Sequence, residues 1–235
     1  MVGSNNKMKG GLGLMMMTLA ITWLSSMPSP VQSINVATVV TPAFFNSIIS
    51  QASSSCRGKR FYTRAAFLSA KQAFPKFGTG TNLQAKREIA AFFAHATHET
   101  GSFCYIDEIG QSTTPYCDRS CTRYRCRQGK SYHGRGPIQL TWNCNYGACG
   151  KDLGLDLLNR PELASSSATV SFKTALWYWM KRVHPVMGQG FGATIKAING
   201  GECGGGVPSA VRNRVKYYKK YCAKFGVTPG PNVDC

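Results

Sequence analysis

At 235 residues the chain is long enough for one substantial hydrophobic core and at most two small ones. Its composition, 43% hydrophobic and 11% aromatic against 16% charged, excludes a disordered chain. Charge is one-sided: 28 Lys and Arg face 10 Asp and Glu, a net +18 that favours anionic surroundings and says nothing of fold.

The ten cysteines exceed what a reduced cytosolic domain usually carries and point to an oxidising compartment. The N-terminus agrees. Lys7 and Lys9 precede an apolar run from Leu12 to Leu24, followed by Pro28, Pro30 and small residues to Ser33. A basic start, an apolar stretch too short to span a bilayer and a cleavage point after Ser33 predict a signal peptide over residues 1–33. The mature chain then begins at Ile34 and, without two lysines, carries +16. It shows no linker, repeat or second long apolar stretch, so one secreted domain over 34–235 is expected.

In chain order the apolar spacing is mostly helical. Thr41-Pro42 opens a helix with Phe44, Phe45, Ile48 and Ile49 inward. Thr63 caps a second, carrying Ala66, Phe67 and Ala70. A third runs from near Leu83 through Ile89, Phe92 and Phe93 to the stop at Gly101. Strand signals are short and confined to Phe103–Ile106 and Pro137–Leu140. Val170–Val183 is apolar nearly all round and predicts a central buried helix. Ala193–Ile198 is a short helix, and Pro208 opens the last, with Val211, Val215, Tyr218 and Cys222 along one stripe. A mainly α domain with Gly- and Cys-rich loops over 101–136 is the expectation.

Few of the ten acids invite chemistry. Glu88, beside Lys86 and Arg87, reads as a solvated helix face, and Asp152 and Asp156 as a polar loop. Glu99 differs: it sits at the dipole-negative end of the apolar third helix, near Phe92, Phe93 and Phe103. Both surroundings raise a carboxyl pKa, which suits a general acid. Past the Gly101 turn come Asp107 and Glu108, and a reversing chain sets one of them across a cleft from Glu99. Two carboxyls in unlike environments are the minimum apparatus of glycosidic hydrolysis, and spacing does not choose between Asp107 and Glu108. His95, His98 and Glu99 share a helix but not the zincin order, so no metal is expected, nor any cofactor.

Four ordered stretches carry a family resemblance. Ala91-Phe92-Phe93-Ala94-His95-Ala96-Thr97-His98-Glu99-Thr100-Gly101, Gly134-Arg135-Gly136-Pro137-Ile138-Gln139-Leu140-Thr141, Ala197-Ile198-Asn199-Gly200-Gly201 and the ending from Arg214 to Asn232 resemble plant family 19 chitinases. The similarity covers the mature chain, and the short Glu99–Glu108 interval is similar to the class IV branch. That branch often carries an N-terminal chitin-binding module; here the signal peptide is expected to lead directly into the catalytic domain.

The resemblance implies a bilobal, lysozyme-like helical domain with a substrate cleft, short β segments and disulfide-tied loops. It implies endo-hydrolysis of chitin by inversion, in a monomer serving defence against fungi, secreted to the apoplast rather than the vacuole. Glu99 falls to the general acid and Glu108 to the base, with Thr141 holding the water and Arg214 and Glu202 tuning the acid. Gln139, Asn145 and Asn199 match sugar-binding positions, and Tyr124 matches an aromatic lining the cleft. The implied disulfides are Cys56–Cys104, Cys117–Cys126 and Cys203–Cys235, with Cys222 a buried thiol. The alternatives are a chitin-oligomer-binding or wall-structuring protein without turnover, and a lysozyme acting on peptidoglycan.

Four positions depart from the pattern. Ser102 stands for Gly or His, His133 for a tyrosine, Arg125 for a proline, and Cys144 for a substrate-facing aromatic in Trp142-Asn143-x-Asn145-Tyr146. Cys144 is expected to be a free or loosely paired thiol rather than bridged to Cys121 or Cys149, weakening substrate binding. The basic stretch Arg119, Arg123, Arg125, Arg127 and Lys130 reads as a solvated loop. Chitin is neutral, so adhesion to acidic wall polymers is the second reading of that charge; nucleic acid and membrane are not expected partners.

Overall fold

The structure, a computed structural model, describes residues 1–3, 34–110 and 115–235. The expected signal peptide over 1–33 lies outside the described residues except for its first three positions. Among the described residues no helix is long and apolar enough to cross a membrane.

A short turn α1 (Val36–Val39) leads into α2 (Pro42–Ile49), where the Thr41 hydroxyl accepts from the Phe44 amide and Pro42 fills the first turn. After the turn α3 (Gly58–Phe61), Thr63 caps α4 (Arg64–Lys71) by accepting from Ala66 N–H. The 18-residue α5 (Asn82–Glu99) starts at a capping box between Thr81 and Gln84. Phe44, Phe45, Phe67, Phe77, Phe92, Phe93, Phe103 and Phe172 pack around it, mostly edge to face, as at 5.2 Å between Phe44 and Phe93. The last helix, α9 (Pro208–Lys224), lies along α5, with Tyr221 and Thr97 hydroxyls hydrogen-bonded at 2.8 Å.

A second, smaller cluster joins Tyr132, Leu140, Tyr146, Cys149, Leu157, Ala164 and Trp177. It is built on α6 (Asn143–Leu153) and on α7 (Ala168–Tyr178), which runs into a π-helical turn at Trp179–Val183. A short α8 (Phe191–Asn199) completes the set. Two cores with a cavity lined from both are the fold in brief.

Four local expectations are corrected. Glu88 is buried, not solvated: it accepts from Trp179 Nε1 and Gly78 N, both at 2.9 Å, and pairs with His184 Nδ1. Its burial follows from Trp179, whose indole needs an acceptor inside the core. Asp152 belongs to α6, not a loop, and accepts from Trp177 Nε1. The strands reduce to isolated bridges, Asp107 with Arg135 and Arg135 with Leu140, because left-handed backbone at Ser102, Phe103 and Gln139 interrupts extension.

The fourth correction concerns Cys144, which is bridged to Cys121 rather than free. The other bridges are Cys56–Cys104, Cys117–Cys126 and Cys203–Cys235, while Cys149 and Cys222 are buried thiols. Cys144 opens α6 on the side turned to the 117–130 loop, so it cannot stand in for a substrate-facing aromatic. Non-reducing peptide mapping should recover Cys121 joined to Cys144. Removing that bridge with Cys121→Ser and Cys144→Ser should lower unfolding free energy by about 2–4 kcal/mol; an unchanged denaturation midpoint would count against the pairing.

Candidate active site

The chain reaches the site through a tight reversal after α5. Gly101, Ser102 and Phe103 have φ of 57°, 63° and 64°, the left-handed region. Thr100 holds them: its hydroxyl accepts from Phe103 N and donates to Ala96 O, and Ser102 N donates to Thr97 O. Phe103 stacks on Phe45 at 5.3 Å, Cys104 is bridged to Cys56, and a Cβ at Gly58 would lie 2.3 Å from the Phe103 carbonyl. Ser102 occupies backbone that favours glycine, which is why glycine suits that position.

Beyond the reversal, Glu99, Asp107, Glu108, Gln139, Thr141, Asn145 and Asn199 line one cavity of about 530 Å³. Glu99, at the end of α5, is largely buried, and burial pushes its carboxyl above the ordinary value against the opposing pull of Arg214. Arg214 is fully buried. Its Nε and Nη2 form a two-pronged pair with Glu202 at 2.7 Å each, while Nη2 also reaches Glu99. Burial alone would raise Glu202, but the hydrogen bonds and charge of Arg214 prevail and hold it below the usual carboxylate range. One arginine thus serves two carboxyls with opposite outcomes.

His95 completes this network. Thr194 Oγ1 donates its only proton to Phe191 O, so at 2.9 Å it can only accept from His95 Nε2. Nδ1 is then the lone pair that accepts from Arg214 Nη1 at 3.0 Å. Burial and Arg214 both disfavour the imidazolium, and neither ring nitrogen is left for a metal. His98 lies beside it, pushed down to about 4 by burial and Arg214. Among the described residues no group of three or more His, Cys, Asp and Glu could hold a metal.

Across the cavity the two neighbouring acids have different partners. Asp107 faces Arg135 Nε at 3.4 Å and His133 Nε2 at 3.8 Å. Glu108 accepts from the Tyr116 hydroxyl and from Gly134 N–H at 3.1 Å, without a cationic partner among the described residues. The amide side chains are held by backbone: Gln139 Nε2 donates to Gly136 O and Asn145 Nδ2 to Thr141 O. Asn199 Nδ2 donates to Glu202, and the Thr141 hydroxyl donates to Gln139 O. Each of these bonds uses a donor, so the side-chain oxygens keep their acceptor capacity.

Tyr124 is not in this cavity. Its ring is seated on Gly147 of α6, where a Cβ would come within 2.3 Å of it. Tyr116 and Trp142 line the cavity instead, edge to face at 5.4 Å, with Trp142 45% exposed. Both were missed in the sequence, where neither falls on a helical stripe. A carboxyl whose pKa burial raises, sharing one cavity with a second carboxyl in different surroundings, is suited to acid–base cleavage.

The model of the family described as chitinase class I, glycoside hydrolase family 19, matches residues 39–189 and 185–235. An endochitinase of Arabidopsis thaliana is 58% identical over 201 residues, 86% of this chain and 75% of the relative. Endochitinase A of Zea mays is 57% identical over 203 residues, 86% of this chain and 72% of the relative. The crystal structure of a class IV family 19 chitinase from Zea mays superposes with a TM-score of 0.82 at 55% identity, covering 84% of this chain and 98% of that one. Chitinase C of Streptomyces griseus follows with 0.75 at 38%, over 85% and 81%. With the family model matched over residues 39–235 and the fold shared with a relative 55% identical, the chain belongs to glycoside hydrolase family 19.

Proposed function

We propose that the chain is an endochitinase that hydrolyses β-1,4 bonds between N-acetylglucosamine units by inversion. The observation that carries this reading is Glu99, a carboxyl desolvated at the wall of a cavity that Glu108 shares. Glu99 protonates the leaving oxygen, and Glu108 takes a proton from a water approaching the opposite face of the sugar. Thr141 accepts a hydrogen of that water. Gln139, Asn145 and Asn199 meet the acetamido and hydroxyl groups, and Trp142 offers a flat face to a ring.

Arg214 and Glu202 act through Glu99. Glu202 occupies both prongs of the guanidinium, so only one bond reaches Glu99, and burial prevails there. The leader expected over 1–33 and the four disulfides support export, here to the apoplast, and a chitin substrate fits a role against fungal walls.

Five outcomes test this reading. Glu99→Gln should lower kcat on soluble chitin oligomers by about 10²–10⁴-fold with the fold retained, and chelator should leave wild-type activity unchanged. Bacterial wall should be hydrolysed far more slowly; near-normal activity of the variant, or turnover of bacterial wall alone, refutes the proposal. Proton NMR of fresh product should show the α-anomer first, as for carboxyls about 6.5–9.5 Å apart. Glu202→Gln frees Arg214 to stabilise the Glu99 carboxylate, so the Glu99 pKa falls. Because kcat needs the protonated acid, its alkaline limb should move to lower pH; an unmoved limb would detach Glu202 from the acid.

A further inference from the structure

The 117–130 loop contributes nothing to the catalytic cavity, yet it is held at four points. Two disulfides, Cys117–Cys126 and Cys121–Cys144, staple it to itself and to α6. The buried Asn143 side chain accepts from Asp118 N at 2.7 Å and donates to the carbonyls of Tyr124, at 2.7 Å, and Asp118, at 3.1 Å. The Tyr124 ring fills the space over Gly147, and the Arg123 guanidinium lies 5.5 Å from its centroid.

What this frame presents is charge. Arg119, Arg123, Arg125 and Arg127 are exposed and Lys130 half-buried, and none pairs with a carboxylate among the described residues. The loop's one acid, Asp118, has Oδ1 taken by the amide and hydroxyl of Ser120. Arg119, Arg127 and Lys130 line an open groove of about 710 Å³. The turn between Arg127 and Lys130 is closed by a hydrogen bond from Lys130 N to Arg127 O, and the Tyr132 hydroxyl accepts from the Arg127 amide.

We propose that this groove is a docking surface for a carboxylated polysaccharide, a polyuronate, separate from the cleft. Guanidinium forks match carboxylates in two-pronged geometry, and a loop fixed beforehand loses little freedom on binding. Single-stranded nucleic acid needs aromatic platforms for its bases, and none of the exposed large apolar side chains lies between 115 and 131. A neutral chitin chain gains nothing from unpaired cations.

The test is retention on immobilised polygalacturonate at pH 6 in a salt gradient, using the mature chain. The triple variant Arg119→Gln, Arg127→Gln, Lys130→Gln should bind about tenfold or more weakly at low salt. The control Lys216→Gln, Lys219→Gln, Lys220→Gln removes equal charge from exposed positions on α9 and should bind within about twofold of wild type. Soluble chitin-oligomer hydrolysis, unchanged in both, verifies folding; if the triple misfolds, Arg127→Gln and Lys130→Gln alone give the same reading. Equal weakening by both triples reduces the effect to net charge and overturns the proposal. An oligonucleotide binding more tightly through the same three residues overturns the choice of ligand.

Discussion

Arg214 is buried, and its charge has to be answered inside the protein. Glu202 answers it through two bonds, leaving a single N–H direction for Glu99 and another for His95. That division matters because a carboxyl facing a fully available guanidinium would ionise, and one facing none would be stranded. Sharing one cation unequally keeps Glu99 oriented while burial still prevails and holds its carboxyl pKa above the ordinary value. The α5–α9 contact, the aromatic core beneath it and the Cys203–Cys235 bridge next to Glu202 all serve to keep that geometry fixed.

The opposite wall is set by backbone rather than charge. Three left-handed residues in a row return the chain from Glu99 toward Glu108, and Gly134 meets Glu108 with its N–H on the carboxylate and its C=O on the amide, at 2.9 Å. Asp107, one residue earlier, turns to Arg135. The two adjacent acids therefore differ in which of them has a cation to face, a distinction no one-dimensional spacing carries.

Periodicity and caps made the helices legible, from Thr41 and Thr63 to Pro208, because those signals are local. The desolvated setting of Glu99 was legible for the same reason: helix end and aromatic neighbours are adjacent in sequence. Glu88 was misread because its partners, Trp179 and His184, lie about ninety residues away. Cys144 was misread because its bridge crosses from a loop to a helix start, and the seat of Tyr124 on Gly147 is tertiary and left no local signal. Tyr116 and Trp142 gave no pattern, since cleft aromatics are placed by turns and not by stripes.

The hydrogen bonds of His95 have a further consequence. With its proton committed to Thr194 and its lone pair to Arg214, the ring has no vacant position at which to gain a proton without breaking a buried bond. The charge of this ring is thereby fixed, although its side-chain type ordinarily titrates near neutrality. The His95 imidazole serves as a fixed dipole rather than as a buffer.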